Sequence, residues 1–224
     1  MSESWLRDGV VVPSHRVVRL QARLPLTAAV RWRAGHAEPP HLTFDDGPRP
    51  VSTDAVLEAL ARHRRTATFF VLVEAARRHR DLLAAMLAAR HRVQLHGERH
   101  EPLVGRDGRT IGRALRDAKA ELEDLTQRPV HEYRPPYGTT SIALLRGARR
   151  AALTVVLWSH DPRDWDAAST VPIADRISRC LQPGAIVLLH DGIETGGGAE
   201  RGATSTAMAL ERALASTAMA ARGG

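Results

Sequence analysis

The 224-residue sequence is poor in cysteine, lysine and aromatic side chains. Its one cysteine, Cys180, excludes an internal disulfide and suits a reducing compartment. Nearly every basic residue is arginine, with Lys119 the exception, so the formal net charge of +7 comes from arginines scattered over predicted helix faces. The densest basic runs, at 61–65 and 76–80, lack interleaved aromatic residues. We therefore expect no specific nucleic-acid partner.

Long apolar runs and phosphate-binding loops are also missing. Arg, His or Pro interrupts residues 1–36 every few positions, so we expect neither a signal peptide nor a membrane partner. The glycine-rich stretch at 191–204 lacks the fixed glycine spacing and the following lysine of a phosphate loop. A mobile lid and a plain linker both remain open for it. These absences together predict a cytoplasmic protein without a nucleotide-binding loop.

Beyond residue 40 the sequence alternates short β-like runs with longer segments of helical periodicity. The predicted strands are 41–44, 67–72, 93–96, 131–134, 153–158 and 185–190. The predicted helices are 52–65, 74–90, 109–127, 139–151, 170–182 and 204–221. Such alternation indicates parallel strands joined by crossover helices. The last two strands are apolar on both faces, which favours either a barrel or a doubly wound sheet.

The first 39 residues do not share this alternation. An added helix and strand packed on the barrel, or a partly disordered arm, would both suit their composition. We therefore divide the chain into an N-terminal arm at 1–39 and one α/β domain at 40–224, because this length suffices for a single sizeable core. Two polar segments that contain glycine, 101–110 and 191–204, are predicted loops that shape a pocket.

Polar side chains with catalytic potential stand at or just after the ends of five predicted strands. These residues are Asp45, Asp46, His96, Arg134, Asp161, Asp164 and His190. Three other histidines lie in arginine-rich helical stretches, where we expect solvent exposure: His63, His79 and His91. In barrels and open α/β sheets the carboxyl ends of the strands share one face, so residues far apart in sequence converge there. We therefore predict one reactive site at this face.

The negative charges of the adjacent carboxylates Asp45 and Asp46 repel each other unless a cation intervenes. A divalent metal is the obvious cation, since His96 and His100 offer two imidazoles four residues apart. Two histidines and one carboxylate leave an open coordination position, as in catalytic zinc sites. Simpler explanations stay open: such a histidine pair arises by chance, paired aspartates often form turns or caps, and His190 alone could be a hydrogen-bonded core histidine.

Taken in order, five short motifs resemble those of the polysaccharide deacetylase family, also called carbohydrate esterase family 4 or the NodB-homology family. The matching segments are TFDDGP (43–48), HGERH (96–100), RPPYG (134–138), DPRDW (161–165) and IVLLHD (186–191). The resemblance implies a distorted (β/α) barrel of the polysaccharide deacetylase type, with parallel strands and outer helices. It also implies metal-dependent removal of an acetyl group, usually from the nitrogen of an N-acetylated sugar.

Carried over residue by residue, the resemblance implies that Asp46, His96 and His100 are the metal ligands. Zinc is the usual ion, and Co2+, Ni2+ or Mn2+ could replace it. Asp45 would be the general base for a metal-activated water, and Arg134 would keep this base ionised and oriented. The first two motifs and the start of the third would thus supply the nucleophile.

The other matches imply roles toward the substrate. The backbone N–H of Tyr137 would join the metal in stabilising the tetrahedral oxyanion. His190 would be the general acid that protonates the leaving amine, with Asp164 as the partner that keeps its imidazole charged and positioned. Trp165 and Leu188 would wall the pocket for the acetyl methyl group. The implied substrate-binding residues are Pro136, Trp165 and Leu188.

Two residues of the second motif depart from the family pattern. Gly97 stands where the family has Ser or Thr, so we expect a looser loop that still binds the metal. Glu98 is unusual in the middle of this motif; it could contact the substrate or the surroundings of the metal, or it could be a solvated loop carboxylate. Neither departure removes a predicted metal ligand.

The leading hypothesis is a zinc-dependent N-deacetylase acting on a small N-acetylated carbohydrate or glycoside, either an oligosaccharide or a glycosylated biosynthetic intermediate. An alternative keeps the site but changes the substrate to a formamido sugar, a cyclic imide, a ureide or O-acetyl xylan. A third hypothesis is a metal-binding module without catalysis. Asp45, Arg134 and His190 argue against the third, because a binding module needs neither a base nor an acid.

Overall fold

The computed structural model describes residues 4–7, 10–13, 28–35, 37–166, 170–192 and 199–220. The strands in these ranges are β1 (Ser4–Arg7), β2 (Val10–Pro13), β3 (Val30–Arg31), β4 (His41–Asp45), β5 (Thr68–Leu72), β6 (Arg92–Gly97), β7 (Glu132–Tyr133), β8 (Thr154–Val156) and β9 (Ile186–His190). The helices are α1 (Ser52–Arg62), α2 (Val73–Arg78), α3 (Arg80–Ala88), α4 (Gly108–Thr126), α5 (Ile142–Arg150), α6 (Thr170–Cys180) and α7 (Ala199–Ala220). Short 3-10 turns span Pro136–Gly138 and Asp164–Asp166.

Seven strands form one sheet in the order β3-β8-β7-β6-β5-β4-β9, and β1 and β2 form a separate antiparallel pair. Within the sheet, β4 runs parallel to β5 and β9, β7 runs parallel to β6 and β8, and β3 runs parallel to β8. Parallel neighbours need crossover connections, and helices supply them along the chain. The predicted alternation of parallel strands and helices is therefore confirmed.

The described residues fall into two compact units. One contains those within Met1–Trp32, Leu72–Glu74 and Gln94–Leu157; the other contains those within Arg33–Val71, Ala75–Val93 and Trp158–Gly224. None of the helices in the described part of the chain is long and apolar enough to cross a membrane.

In the first unit, α4 and α5 pack closely because glycines lie at their contact. A Cβ atom on Gly147 would lie 2.5 Å from Cγ2 of Ile111 and 3.0 Å from the backbone nitrogen of Gly112. Helix α4 begins at an N-cap, Asp107, whose side chain accepts hydrogen bonds from the backbone N–H groups of Arg109 and Thr110. The close contact of Gly147 with α4 leaves no space for a larger residue at position 147.

The second unit is centred on β4 and β9. All five residues of β9 are buried, as expected for a strand covered on both faces. The ring of Phe44 in β4 stacks on Phe69 of β5 with 5.2 Å between centroids. The Thr43 hydroxyl donates to the carbonyl of Val187 at 2.6 Å. Beyond β8, His160 forms a parallel bridge with Val187, so β9 has partners on both edges.

Most element boundaries agree with the sequence-based predictions, and four features differ. The predicted helix at 74–90 is two helices that break at His79, and β1, β2 and β3 lie within 1–39, where the prediction placed no strand at a definite position. Helix α7 begins at Ala199, before the predicted start. The expected exposure of His91 is wrong: it is 6% exposed, its Nδ1 accepts a hydrogen bond from the Ala67 N–H, and burial lowers its pKa.

Replacing Gly147 with valine should lower the free energy of unfolding by about 1–3 kcal/mol, because the added carbons overlap Ile111 and the backbone of α4. Chemical denaturation monitored by circular dichroism would measure this change. The matched control is Arg146→Val, which introduces the same residue at an exposed position of the same helix. Equal stability of the two variants would contradict the close packing of α4 on α5.

Candidate active site

The carboxyl end of β4 carries the two adjacent aspartates. Asp45 is the last residue of β4 and lies in register with His190 of β9, and it is only 3% exposed. Asp46 has a φ of 79°, in the left-handed region that non-glycine residues rarely adopt. A β-carbon on Gly47 would overlap the carboxylate of Asp191. Glycine is therefore required directly after the aspartate pair.

Asp191 is a buried carboxyl beside this turn. Its Oδ2 accepts a hydrogen bond from the Thr53 hydroxyl at 2.7 Å, and its backbone N–H donates to the Asp45 carbonyl at 3.1 Å. Burial raises the pKa of Asp191 to about 7; the hydrogen bond from Thr53 opposes this rise, and the negative charges of Asp46 and Asp45 add to it. The turn thus lies beside a third carboxyl group, for which the motifs implied no role.

His190 and Asp164 form a buried pair at the carboxyl end of β9. Nδ1 of His190 lies 2.8 Å from Oδ1 of Asp164, and the His190 backbone N–H donates to Oδ2 at 2.8 Å. The Thr206 hydroxyl of α7 donates to the same Oδ2 at 3.0 Å. Burial alone would lower the pKa of His190, but the charge of Asp164 and its hydrogen bond, aided by Asp46 and Asp45, raise this pKa to about 9.

These contacts make His190 an imidazolium at neutral pH. Asp164 binds one ring nitrogen, so a proton on the other nitrogen can be donated to a reacting group. The DPRDW motif contains a second carboxylate, Asp161, which instead accepts a hydrogen bond from the Arg163 N–H at 2.7 Å within its own turn. The structure therefore separates the two acidic residues of this motif into one partner of His190 and one turn residue.

Trp165 and Leu188, predicted to wall the acetyl pocket, occupy different environments. Trp165 is half-buried in a 3-10 turn, and the guanidinium carbon of Arg163 lies 4.9 Å from its ring centroid. Leu188 is buried in β9, in register with Thr43 of β4. Both residues belong to the second unit, which also contains His190.

In the first unit, the HGERH segment places two imidazoles close together. His96 is buried at the end of β6, and its Nδ1 lies 2.7 Å from the carbonyl of Arg134. A carbonyl only accepts hydrogen bonds, so Nδ1 carries the proton and Nε2 is the ring nitrogen that can act as a metal ligand. The His100 ring lies 5.3 Å from the His96 ring and 4.5 Å, edge-on, from that of Tyr137.

Arg134 has no exposed surface. Its Nε donates to the carbonyl of Val156 at 3.3 Å, and its Nη2 donates to the carbonyl of Leu157 at 3.2 Å. The following turn holds Pro136, which is buried, and Tyr137, which has a φ of 59°. The RPPYG motif thus contains a buried guanidinium and a backbone turn in the left-handed region.

Gly97 has a backbone conformation that favours glycine over the expected Ser or Thr. Its φ of 136° lies in a region that side chains rarely adopt. The loop is held from α2: the Glu74 backbone N–H donates to the carbonyl of Glu98 at 3.1 Å, and the Glu74 carboxylate accepts from Arg99 Nε at 2.6 Å. Helix α2 therefore supplies anchoring for a loop that has no hydroxyl side chain at position 97.

Asp46, His96 and His100 form a group that could hold a metal ion within the described part of the chain. Each residue offers one ligand atom, and these atoms lie within 4.8 Å of one another. One carboxylate and two imidazoles are a donor set of catalytic zinc sites, and the same donors accept cobalt, nickel or manganese. The residues present therefore fit a divalent metal.

The family model described as polysaccharide deacetylase matches residues 34–156, more than half of the sequence. The chain belongs to the polysaccharide deacetylase family. It is 39% identical over 162 residues to a chitooligosaccharide deacetylase of Sinorhizobium fredii, covering 71% of this chain and 75% of that protein. It is 32% identical over 193 residues to a peptidoglycan-N-acetylglucosamine deacetylase of Bacillus cereus, covering 85% of this chain and 88% of that protein.

Solved structures establish the fold as the distorted (β/α) barrel of this family. The Bc1960 peptidoglycan N-acetylglucosamine deacetylase superposes with a TM-score of 0.74 at 25% identity, covering 85% of this chain and 88% of its own. A family 4 carbohydrate esterase from Streptomyces lividans gives 0.68 at 28% identity, with coverage of 80% and 88%. A family 4 pseudoenzyme from Bacillus anthracis gives 0.74 at 22% identity, with coverage of 87% and 66%. A pseudoenzyme shares this fold, so activity must be argued from the residues of the site.

Two buried partners of the predicted residues, Asp191 and Thr206, were not predicted from the sequence. Asp191 stands directly after His190 in the IVLLHD motif, so its position in the motif was a signal that could have identified it. Thr206 lies in an alanine-rich helix outside every motif, and its contact with Asp164 depends on tertiary packing. Residues 193–198 of the predicted loop at 191–204 lie outside the described residues.

We expect the His190 imidazole of the metal-free protein to titrate near pH 9, and Asp164→Asn should lower this pKa markedly because it removes the adjacent charge. The raised pKa stabilises the folded state fully below the unfolded pKa of about 6.5, and this contribution is lost as the pH rises through about 9. Nuclear magnetic resonance of the ring nitrogens, assigned with His190→Gln, would measure both values.

The matched control for this titration is Asp161→Asn, which neutralises the other carboxylate of the same motif. It should leave the His190 pKa close to that of the wild type. A His190 pKa near 6.5 in the wild type, or equal effects of the two variants, would contradict the assigned pairing.

Proposed function

We propose that this protein is a metal-dependent hydrolase that removes the acetyl group from the nitrogen of an N-acetylglucosamine unit in a small oligosaccharide or glycosylated intermediate. The observation that carries the proposal is the buried His190–Asp164 pair, whose imidazole pKa of about 9 provides a general acid at neutral pH. Membership of the polysaccharide deacetylase family supports the reaction type.

Hydrolysis of an unactivated amide makes two chemical demands: a strong nucleophile and protonation of the departing nitrogen. A bound divalent ion would supply Lewis acidity, which lowers the pKa of a water molecule and polarises the acetyl carbonyl. Asp46, His96 and His100 would hold this ion, and zinc is our proposed ion because the donor set matches catalytic zinc sites. The chain's other site residues must then move protons and orient the substrate.

Asp45 is the proposed general base that takes the proton of the attacking water. Its burial at the end of β4 shields that proton from free exchange with bulk solvent. Arg134 is proposed to keep this carboxylate ionised. The backbone N–H of Tyr137 would donate to the oxyanion. These assignments follow from family membership and from the position of each residue in its motif.

His190 is the proposed general acid, with Asp164 stabilising its charged form. Its elevated pKa keeps the proton on the ring until the carbon–nitrogen bond weakens and the leaving nitrogen becomes basic. The proposed substrate contacts are Pro136, Trp165 and Leu188. Amide hydrolysis requires a base that activates the nucleophile and an acid that protonates the leaving nitrogen, and Asp45 and His190 are proposed to meet these two requirements.

The proposed substrate class rests on the relatives. Those described above act, by their names, on chitooligosaccharides and on the N-acetylglucosamine of peptidoglycan. We favour a small oligosaccharide because the chitooligosaccharide deacetylase has the higher identity, 39% against 32%. A cytoplasmic location remains part of the proposal, and the buried free thiol of Cys180 is compatible with a reducing compartment.

Asp45→Asn should reduce turnover of the zinc-loaded enzyme by about 10²–10⁴-fold, because the amide cannot accept the proton of the attacking water. Zinc content, measured by atomic emission, should stay close to one ion per chain because Asp45 is not a proposed ligand. Asp54→Asn is the matched control, since it makes the same change at an exposed helix position. Full activity of Asp45→Asn would contradict the base assignment.

The zinc-loaded enzyme should release acetate from short β-1,4 oligomers of N-acetylglucosamine, and His190→Ala should lose this activity. An enzymatic acetate assay would compare N-acetylglucosamine, its oligomers, N-acetylglucosaminyl glycosides, an N-formyl sugar and O-acetyl xylan. Release only from the N-formyl or O-acetyl compounds would contradict N-deacetylation and favour another amide or ester. Absence of release from every compound, with zinc bound, would contradict the proposed substrate class.

A further inference from the structure

The two residues that follow β9, Asp191 and Gly192, contact the main chain of the aspartate pair. The Asp191 N–H donates to the carbonyl of Asp45 at 3.1 Å. A β-carbon on Gly192 would overlap the carbonyl group of Asp46 and would lie 2.7 Å from the nitrogen of Gly47. The chain after β9 therefore lies directly against the peptide that joins Asp46 to Gly47.

The contact is reciprocal, because each side requires a glycine. A β-carbon on Gly47 would overlap the Asp191 carboxylate, just as one on Gly192 would overlap the Asp46 carbonyl. Asp46, the residue directly before Gly47, has a φ of 79°. A non-glycine residue in this region costs conformational free energy, which contacts with its surroundings offset. The packing of Asp191 and Gly192 against the turn provides such surroundings.

Helix α1 fixes Asp191 from the other side. The Ser52 hydroxyl donates to the Asp191 carbonyl at 2.6 Å, and the Thr53 hydroxyl donates to Asp191 Oδ2 at 2.7 Å. Thr53 Oγ1 also accepts a hydrogen bond from the Arg49 N–H at 2.8 Å. Both hydroxyl residues belong to the helix that directly follows the aspartate turn. Asp191 is therefore bonded to the chain on both sides of that turn.

We propose that Asp191 and Gly192 form a clamp that holds Asp46 in its left-handed conformation, and so sets the position from which its carboxylate binds the metal ion. Asp191 is a positioning residue, since it acts through the main chain of Asp45 to Gly47. Metal affinity depends on ligand placement within fractions of an ångström, which loop residues reach only when their surroundings are fixed. The inference rests on the proposed metal site and adds the residues that place its carboxylate.

Two variants test the clamp by different means. Gly192→Ala introduces a β-carbon against the Asp46 carbonyl without removing a polar group. Thr53→Val removes the hydroxyl bonded to Asp191 while preserving shape. The matched control for the second is Thr110→Val, which removes an equivalent hydroxyl, bonded to Asp107 Oδ2 at 2.6 Å on the exposed start of α4.

Competition with a chromogenic chelator would measure the zinc dissociation constant of each protein. We expect Gly192→Ala and Thr53→Val to raise this constant by about 10–100-fold, the range seen when groups that orient metal ligands are removed. Thr110→Val should match the wild type within about twofold, since it lies far from the ligands in sequence and touches none of them. Thermal melting of the metal-free proteins would show whether each variant remains folded; Thr53→Val is expected to melt cooperatively even if Gly192→Ala does not.

The outcomes separate this inference from the proposed function. A wild-type protein that binds no zinc would overturn the proposed metal site itself. A wild type that binds zinc, with Thr53→Val and Gly192→Ala equal to Thr110→Val in affinity, would overturn the clamp alone. Loss of zinc affinity only in proportion to loss of folded protein would assign Asp191 a structural role and would also overturn the clamp. Weaker zinc binding by a fully folded Thr53→Val is the result that supports it.

Discussion

The parallel register of β4 against β9 is the constraint on which the catalytic end of the second unit depends. It pairs Asp45 with His190, so a carboxylate and an imidazole end adjacent strands at the same level. Side chains alternate between faces with a period of two, so a slip of one residue would send either group to the opposite face. The apolar residues of β9, buried along the whole strand, oppose such a slip. Packing of the core thus fixes the relative height of the two groups.

At this strand end the pKa values of two neighbouring groups, His190 and Asp191, are both raised, for different reasons and with opposite effects on charge. Desolvation lowers the pKa of His190, but the charge and hydrogen bond of Asp164, aided by the charges of Asp46 and Asp45, raise it to about 9, so the imidazole keeps its positive charge. Desolvation is the largest effect on Asp191 and raises its pKa to about 7, so this carboxyl group loses part of its negative charge at neutral pH. Both shifts reduce the accumulated negative charge around Asp45 and Asp46. The same environment therefore yields a proton donor and a largely structural carboxyl group.

Elements with a local sequence pattern could be predicted from the sequence. Features that depend on tertiary contacts could not. The apolar runs that became β4 and β9 were found because buried parallel strands are apolar on both faces. Strand β3 was missed since two residues carry no periodicity. His91 was misjudged because its arginine-rich neighbours suggested exposure, while its ring receives the Ala67 N–H. Within the site, motif residues were found by order and spacing, whereas the contact of Thr206 depends on how α7 packs.

At position 97, glycine gives up the hydrogen bond of a hydroxyl side chain and allows a backbone conformation that other residues rarely adopt. A Ser or Thr would offer a hydroxyl, but the φ of 136° at this position disfavours any side chain. The lost anchoring is supplied by Glu74, whose backbone binds the carbonyl of Glu98 and whose carboxylate binds Arg99. These two contacts hold the chain between His96 and His100. Departure from the motif in this loop is therefore compatible with retention of both imidazoles, because the loop is anchored by a helix and needs no hydroxyl at position 97.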